Sequence, residues 1–305
     1  MSPPRLLLTG AGGFVGHHVL AANGEGGSFA NWEIFSPPKG WDVRDQTAVG
    51  QVVSDFRPDA VLHLAAQSFV PRSFEDPHET FSINLGGTLN LLIAMHSAGF
   101  SGRMVFVSSG DVYGRVPEEE LPVDELRVPE PRSPYGVSKV AAEQLCLQWH
   151  RTEGLDVMIA RPFNHVGPGQ DSRFVLPALA RQVVAIAEGR QPAVVEAGDI
   201  DTTRDFTDVR DVVSAYAAML AHGRAGATYV IGSGQERRVR DLLLTMCRLC
   251  GISPEIRPDP TKLRPAEQRR MAADATRLHQ DTGWSPSITM ESTLNGILNY
   301  ARNHP

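Results

Sequence analysis

In SPYGVSK, Tyr135 and Lys139 stand four residues apart, a spacing that puts both on one face of a helix within reach of each other. A free phenol has a pKa near ~10 and is a poor proton source or sink at neutral pH. An ammonium held beside it favours the phenolate and moves that pKa towards the working range. Upstream, an apolar run ends in FVSSGDVYG, and a serine at the carboxyl end of a strand, Ser109, is placed to hydrogen-bond a carbonyl oxygen. Standing alone, the Tyr–Lys pair reads as ordinary helix surface. With the serine it predicts interconversion of a carbonyl and an alcohol.

Such chemistry needs a carrier for the electrons, and the start of the chain offers a place for one. Residues 9–16 read TGAGGFVG, with Gly10, Gly13 and Gly16 in a GxxGxxG pattern between an apolar strand and a helix from about Phe14. Glycines there allow a tight turn, close backbone approach to a pyrophosphate and close helix–strand packing, and the helix N-terminus favours negative charge. An acid at the end of the second strand would bond a ribose 2′-OH and repel a 2′-phosphate. Here that strand ends Phe35-Ser36-Pro37-Pro38-Lys39, with no acid and one cation. The pattern favours NADP(H), with Lys39 pairing with the phosphate, and leaves NAD(H) open. Asp42, in WDVRD, reads either as an acceptor for the adenine amino group or as a helix cap.

Apolar runs at 5–10, 32–36, 60–66, 103–109 and 156–162 alternate with helix-like stretches, the longest of them Asn84 to Gly99 and Tyr135 to Gly154. This is the signature of βαβ units, and uninterrupted apolar strands suit a sheet covered on both faces. The predicted fold is α/β, a Rossmann-like doubly wound parallel sheet with a smaller C-terminal substrate-binding lobe. The sheet domain is expected over 1–162, rejoined by about 199–231, and the lobe over 163–198 and 232–305. A chain of 305 residues with net charge −6 supports a sizeable core and argues against general nucleic-acid binding. No run approaches the ~20 apolar residues of a membrane span, and three leucines make no signal core, so a cytoplasmic location is expected. Cys247 and Cys250 form a CxxC; redox or metal work is conceivable, but without a second ligand pair the packing reading is preferred and no metal is expected.

The glycine loop, SSGDVYG and YGVSK together resemble the extended short-chain dehydrogenase/reductase family over essentially the whole chain, since RDFTDVRD (Arg204 to Asp211) and RPAEQRRMAADATRLHQDTGWSP match its nucleotide-sugar-binding features. The resemblance implies that Ser109 orients the carbonyl, Tyr135 transfers the proton, and Lys139 binds the nicotinamide ribose. It extends the cofactor surface to Phe14, Val15, Val43, Leu64, Ala65, Ala66, Gln67, Asn84 and His165. The alternative for His165 is a loop histidine bonded to backbone. Substrate contacts fall on Ser108, Ser109, Gly110, Asp111, Asn164, Val175, Arg204, Arg264 and Glu267, the two arginines being candidates for phosphate.

Family members that eliminate water place an acidic or hydroxyl residue and then Glu after the catalytic Thr or Ser; here Gly110 and the shorter Asp111 stand there. Members that epimerise and then reduce carry a cysteine near Asp111, and this chain has none before Cys146. Simple hydride delivery to a carbonyl remains, as does the internal oxidation and reduction of 4-epimerases; RPFNHVGPGQ, with SSGDVYG and RPAEQRR, narrows the resemblance to the reductases of GDP-4-keto-6-deoxy-D-mannose within the family, which make GDP-D-rhamnose. A nucleotide-sugar 4-epimerase or 4,6-dehydratase is the alternative. A non-catalytic regulator would have no use for the Ser–Tyr–Lys set. Apolar residues on more than one face of the helices near Leu85–Ala98 and Lys139–Trp149, with the resemblance, imply a homodimer through a four-helix bundle.

Overall fold

The computed structural model describes residues 2–259 and 268–304. Its strands are β1 (Arg5–Thr9), β2 (Glu33–Phe35), β3 (Ala60–His63), β4 (Arg103–Val107), β5 (Asp156–Pro162), β6 (Asn164–Val166), β7 (Val194–Ala197), β8 (Thr203–Asp208), β9 (Thr228–Ile231), β10 (Glu236–Arg238) and β11 (Glu255–Pro258). The helices are α1 (Phe14–Ala21), α2 (Gln46–Phe56), α3 (Val70–Glu75), α4 (Pro77–Phe81), α5 (Gly87–Ser97), α6 (Pro134–Glu153), α7 (Val175–Ala187), α8 (Val209–His222), α9 (Val239–Leu249), α10 (Thr276–Thr282) and α11 (Met290–Asn303).

A six-stranded sheet runs β2-β1-β3-β4-β5-β9, every pair parallel. Leu6 and Leu8 point to one face and Leu7 to the other, which is why β1 has no polar side to give to solvent. Helices α2, α5 and α6 cover the Leu7 face through Val49, Leu91, Met95, Ala142 and Cys146. Helices α1, α8 and α10 cover the opposite face through Val19, Val212, Tyr216 and Leu278. Strand order reverses beside β1, and the crevice at such a reversal opens at the carboxyl ends of the strands.

The lobe has its own core, built from α7, α9 and α11 around Leu176, Val183, Leu243, Met246 and Ile297. Two small sheets, β10-β8-β6 and β11-β7, complete it. Two placements differ from the sequence expectation. Residues 203–208 belong to the small sheet, because β8 pairs with β6 and β10; the chain rejoins the large sheet only with α8 and β9. Helix α10, assigned to the lobe by position, packs Leu278 into the core of the large sheet.

The helix expected from Asn84 onward is interrupted by a π-helical turn over Ser82–Gly86. That turn rotates the buried Asn84 into a bridge. Its Oδ1 accepts from Gln67 N (2.8 Å), and its Nδ2 donates to Gln67 O (3.1 Å) and Ser138 Oγ (2.9 Å). One side chain thereby ties the end of β3 to α6.

Candidate active site

The glycine loop sits where β1 ends. Gly10 has φ +74°, and a Cβ there would lie 2.7 Å from Ala65 N; one on Gly16 would lie 2.5 Å from Gly10 O. Both positions therefore exclude side chains, one for the turn and one for packing of α1. Gly13 is exposed at the start of α1 with no side-chain cap, which leaves the helix N-terminus free to face an anion. The residues present thus fit a dinucleotide pyrophosphate. Phe14 stacks on His165, with ring centroids 6.1 Å apart and planes at 2°, so glycine loop and β6 meet at one wall. His165 Nδ1 bonds Phe163 O at 3.0 Å, and burial lowers its pKa, keeping the ring neutral. The backbone bond matches the loop-histidine reading, and the stacking on Phe14 places the ring beside the glycine loop.

Other expected cofactor residues divide. Val15 and Leu64 are half-buried against the core, Ala66 is half-buried, and Ala65 N donates to Thr9 Oγ1 at 3.2 Å. Val43 is 5% exposed and packs against Gly87, so only its backbone can serve a ligand. Gln67 spends its side chain on Phe69 N and Thr80 Oγ1. Asp42 is held by Arg44, whose hydrogen bonds keep the carboxyl below its ordinary range. Lys39 is exposed beyond β2.

At the carboxyl end of β4, Ser109 caps a short turn, its Oγ accepting from Asp111 N at 3.1 Å. Ser133 caps α6, its hydroxyl accepting from Gly136 N at 3.0 Å, and so sets Tyr135 on the first turn. Tyr135 hydrogen-bonds Ser109, and its phenol pKa is driven up by burial and then by the Asp111 carboxylate, with the Ser109 hydroxyl opposing. The expected lowering by Lys139 is not found: the Lys139 ammonium turns to Val107 O (2.8 Å) and lies 5.1 Å over the Phe106 ring. Burial lowers its pKa to about 8, opposed by Glu143 and Cys146.

Asp111 opens onto the cleft, but the surrounding protein desolvates it and raises its pKa, with Arg204 opposing. Arg204 is half-buried and braced by Thr203 O at 2.7 Å; its pKa is lowered by burial, with Asp111 and Asp199 opposing. The other charges of RDFTDVRD serve the fold. Asp205 accepts from Ser233 and from the Gly234 and Ala273 backbone, while Asp211 accepts from Ser287 and Ile288. Asn164 is exposed on β6, and Val175 is 43% exposed at the start of α7. Arg264 and Glu267 lie outside the described residues.

Two placements revise the substrate set. Ser108 is 3% exposed and donates its hydroxyl to Glu143, so it faces the interior rather than the cleft. Gly110 is pressed by the Phe163 ring, whose nearest atom would lie 3.0 Å from a Cβ at that position. Sequence reasoning missed Phe163, Glu143, Arg161 and Tyr113. The available signal was Arg161, a lone cation inside the apolar strand DVMIARP, which requires a buried partner.

A parallel sheet with a glycine loop after β1, a serine at the end of β4 and a YxxxK helix defines a dinucleotide-binding protein of one lineage, and the chain belongs to the extended short-chain dehydrogenase/reductase family. The family model described as GDP-mannose 4,6 dehydratase matches residues 39–297. The chain is 48% identical to GDP-6-deoxy-D-mannose reductase of Pseudomonas aeruginosa over 294 residues, 96% of each chain. It is similar to the structure of RMD from Pseudomonas aeruginosa complexed with NADPH, with TM-score 0.94, 46% identity and coverage of 99% of this chain and 100% of that one. A Thermus thermophilus UDP-glucose 4-epimerase in complex with NAD matches with TM-score 0.85 and 31% identity over 99% and 100% of the two chains.

Proposed function

We propose that this chain is an NADPH-dependent reductase of the C4 ketone of GDP-4-keto-6-deoxy-D-mannose, yielding GDP-D-rhamnose. The observation that carries the reading is the hydrogen-bonded Ser109–Tyr135 pair at the carboxyl end of β4, with Asp111 as the neighbouring acid. The likeness to GDP-6-deoxy-D-mannose reductase supports the substrate, and the likeness to an NADPH complex supports the cofactor. NADPH, when bound, supplies the hydride. The Ser109 and Tyr135 hydroxyls converge on one carbonyl oxygen and polarise it; as negative charge develops, Tyr135 gives that oxygen its proton. A phenol whose pKa is raised by burial holds its proton at neutral pH, so the proton is in place when charge develops on the carbonyl oxygen. Lys139 binds the nicotinamide ribose, Lys39 neutralises the 2′-phosphate, and Arg204, with Arg264, takes the sugar diphosphate.

The sheet half holds the cofactor and the lobe the nucleotide sugar. A homodimer is supported by exposed Phe74, Leu89 and Val137 on α3, α5 and α6; a monomer by sedimentation at micromolar concentration would remove it. Three free cysteines support a cytoplasmic site of action. The function is tested by following NADPH oxidation with GDP-4-keto-6-deoxymannose generated in situ. Stoichiometric consumption is expected. Turnover of GDP-mannose or a UDP-hexose without added reductant would replace this reading with a dehydratase or epimerase.

A further inference from the structure

Behind the Ser109–Tyr135 pair lies a sealed group of charges that proton transfer itself does not use. Lys139 is 4% exposed, Glu143 0% and Arg161 5%. Arg161 grips Glu143 in a fork, Nε to Oε1 at 2.9 Å and Nη2 to Oε2 at 2.6 Å. Ser108 donates a third hydrogen bond to Oε1, and Arg161 Nη1 donates to Tyr113 Oη at 3.0 Å. A carboxylate with three donors from two strands cannot swing. Glu143 follows Lys139 by four residues on α6, one helical turn on the same face.

Stability gives little reason for this arrangement. Replacing a buried ion pair by well-packed apolar residues is often neutral or stabilising. The groups around Lys139 give a better one. From its own helix it meets Glu143 and Cys146; from β3, His63; from β4, the Phe106 ring and Val107 O; from β5, Arg161 behind Glu143. Cys146 keeps its proton because burial pushes the thiol far up, and His63 is neutral. Among the described residues facing the ammonium, Glu143 is thus the anion.

We propose that Glu143 is a positioning residue: anchored by Ser108 and Arg161, it holds Lys139 in its charged form so that the ammonium can serve the site. The proposal rests on the reading of Ser109, Tyr135 and Lys139 as the reactive set. Without Glu143, burial acts unopposed by any carboxylate, and Arg161 becomes an uncompensated cation nearby.

The chain has three lysines, Lys39, Lys139 and Lys262, so NMR of protein labelled at lysine Cε gives three side-chain resonances to titrate. The Lys139 signal is assigned by its loss in Lys139→Met. In the unaltered protein its midpoint is expected at about 8. In Glu143→Gln it should fall by about one unit or more, and the basic limb of the pH profile of kcat/KM should move down with it. Should that variant fail to fold, Glu143→Gln/Arg161→Met removes the stranded Arg161 charge as well, and the midpoint should still fall, by less. An unchanged Lys139 midpoint in the folded variant, with only the melting temperature lowered, would make the pair purely structural and overturn the proposal. The titration needs no sugar substrate, so its outcome is separate from success or failure of the reductase assay.

Discussion

Tyr135 and Asp111 share one cleft, and they divide the reductase reading from its alternatives. Removing the phenol hydroxyl in Tyr135→Phe should lower kcat by ~10²–10⁴ while NADPH still binds, the range for losing a positioned general acid. Asp111→Asn keeps shape and removes the charge that raises the Tyr135 pKa. Its loss in kcat/KM should stay below about tenfold, since no proton is assigned to it. A deficit as deep as that of Tyr135→Phe would make Asp111 a second proton-transfer group and restore the elimination reading. Ser109 and Tyr135 were legible because chain order alone places strand end, serine and helix together. Glu143 was not, because a glutamate on a long helix reads as solvated until its face is known; Arg161 signalled a buried partner without identifying it. Gly110 was legible only as a missing acid; the Phe163 ring that fills its space comes from the link between β5 and β6.

At the scale of elements, the glycine loop and the π-helical turn are the joints that set the crevice. Gly10→Ala forces a Cβ to 2.7 Å from Ala65 N at φ +74°, a contact with backbone that no side-chain rotation relieves. The left-handed conformation alone costs roughly 1–2 kcal/mol, so the variant should melt lower and bind NADPH at least about tenfold more weakly by fluorescence titration. Unchanged binding would show that the loop does not approach the cofactor. Strands β1, β3, β4 and β5 were readable from their apolar runs, as was the body of α6 up to its C-terminal glycine. The π-helical turn was not, since Ser82–Gly86 carries no residue that marks it; its cause is Asn84 satisfying Gln67 and Ser138 at once. Likewise β8 follows a Gly/Asp-rich stretch, and its place in the small sheet depends on pairing with β6 and β10, which no local pattern encodes.

For the molecule as a whole, the buried histidine of the central sheet sets a limit on acid stability. Thr88 Oγ1 donates to Asn84 O (2.6 Å), so it accepts from His63 Nε2–H (3.1 Å); His63 Nδ1 therefore accepts from Thr9 Oγ1 (2.7 Å), which in turn accepts from Ala65 N (3.2 Å). The chain of bonds is complete only for the neutral ring. Burial first, and the Lys139 charge second, lower the His63 pKa to about 3. A histidine whose pKa is depressed on folding adds stability above its unfolded value near ~6.5, and that stability drains as pH falls towards the folded value, because the unfolded chain takes up the proton first. Between pH 6.5 and 4.5 the loss should be about 2 kcal/mol, beyond what the carboxylates contribute. Urea unfolding at the two pH values measures it. His63→Gln keeps hydrogen-bonding atoms but cannot titrate, so it should be less stable at pH 6.5 yet lose about 2 kcal/mol less on acidification. Parallel losses in the two proteins would move the acid sensitivity elsewhere. The expected gap ties cofactor cleft to global stability, because Thr9 and Ala65 flank the glycine loop and His63 joins them to the helix layer through Thr88.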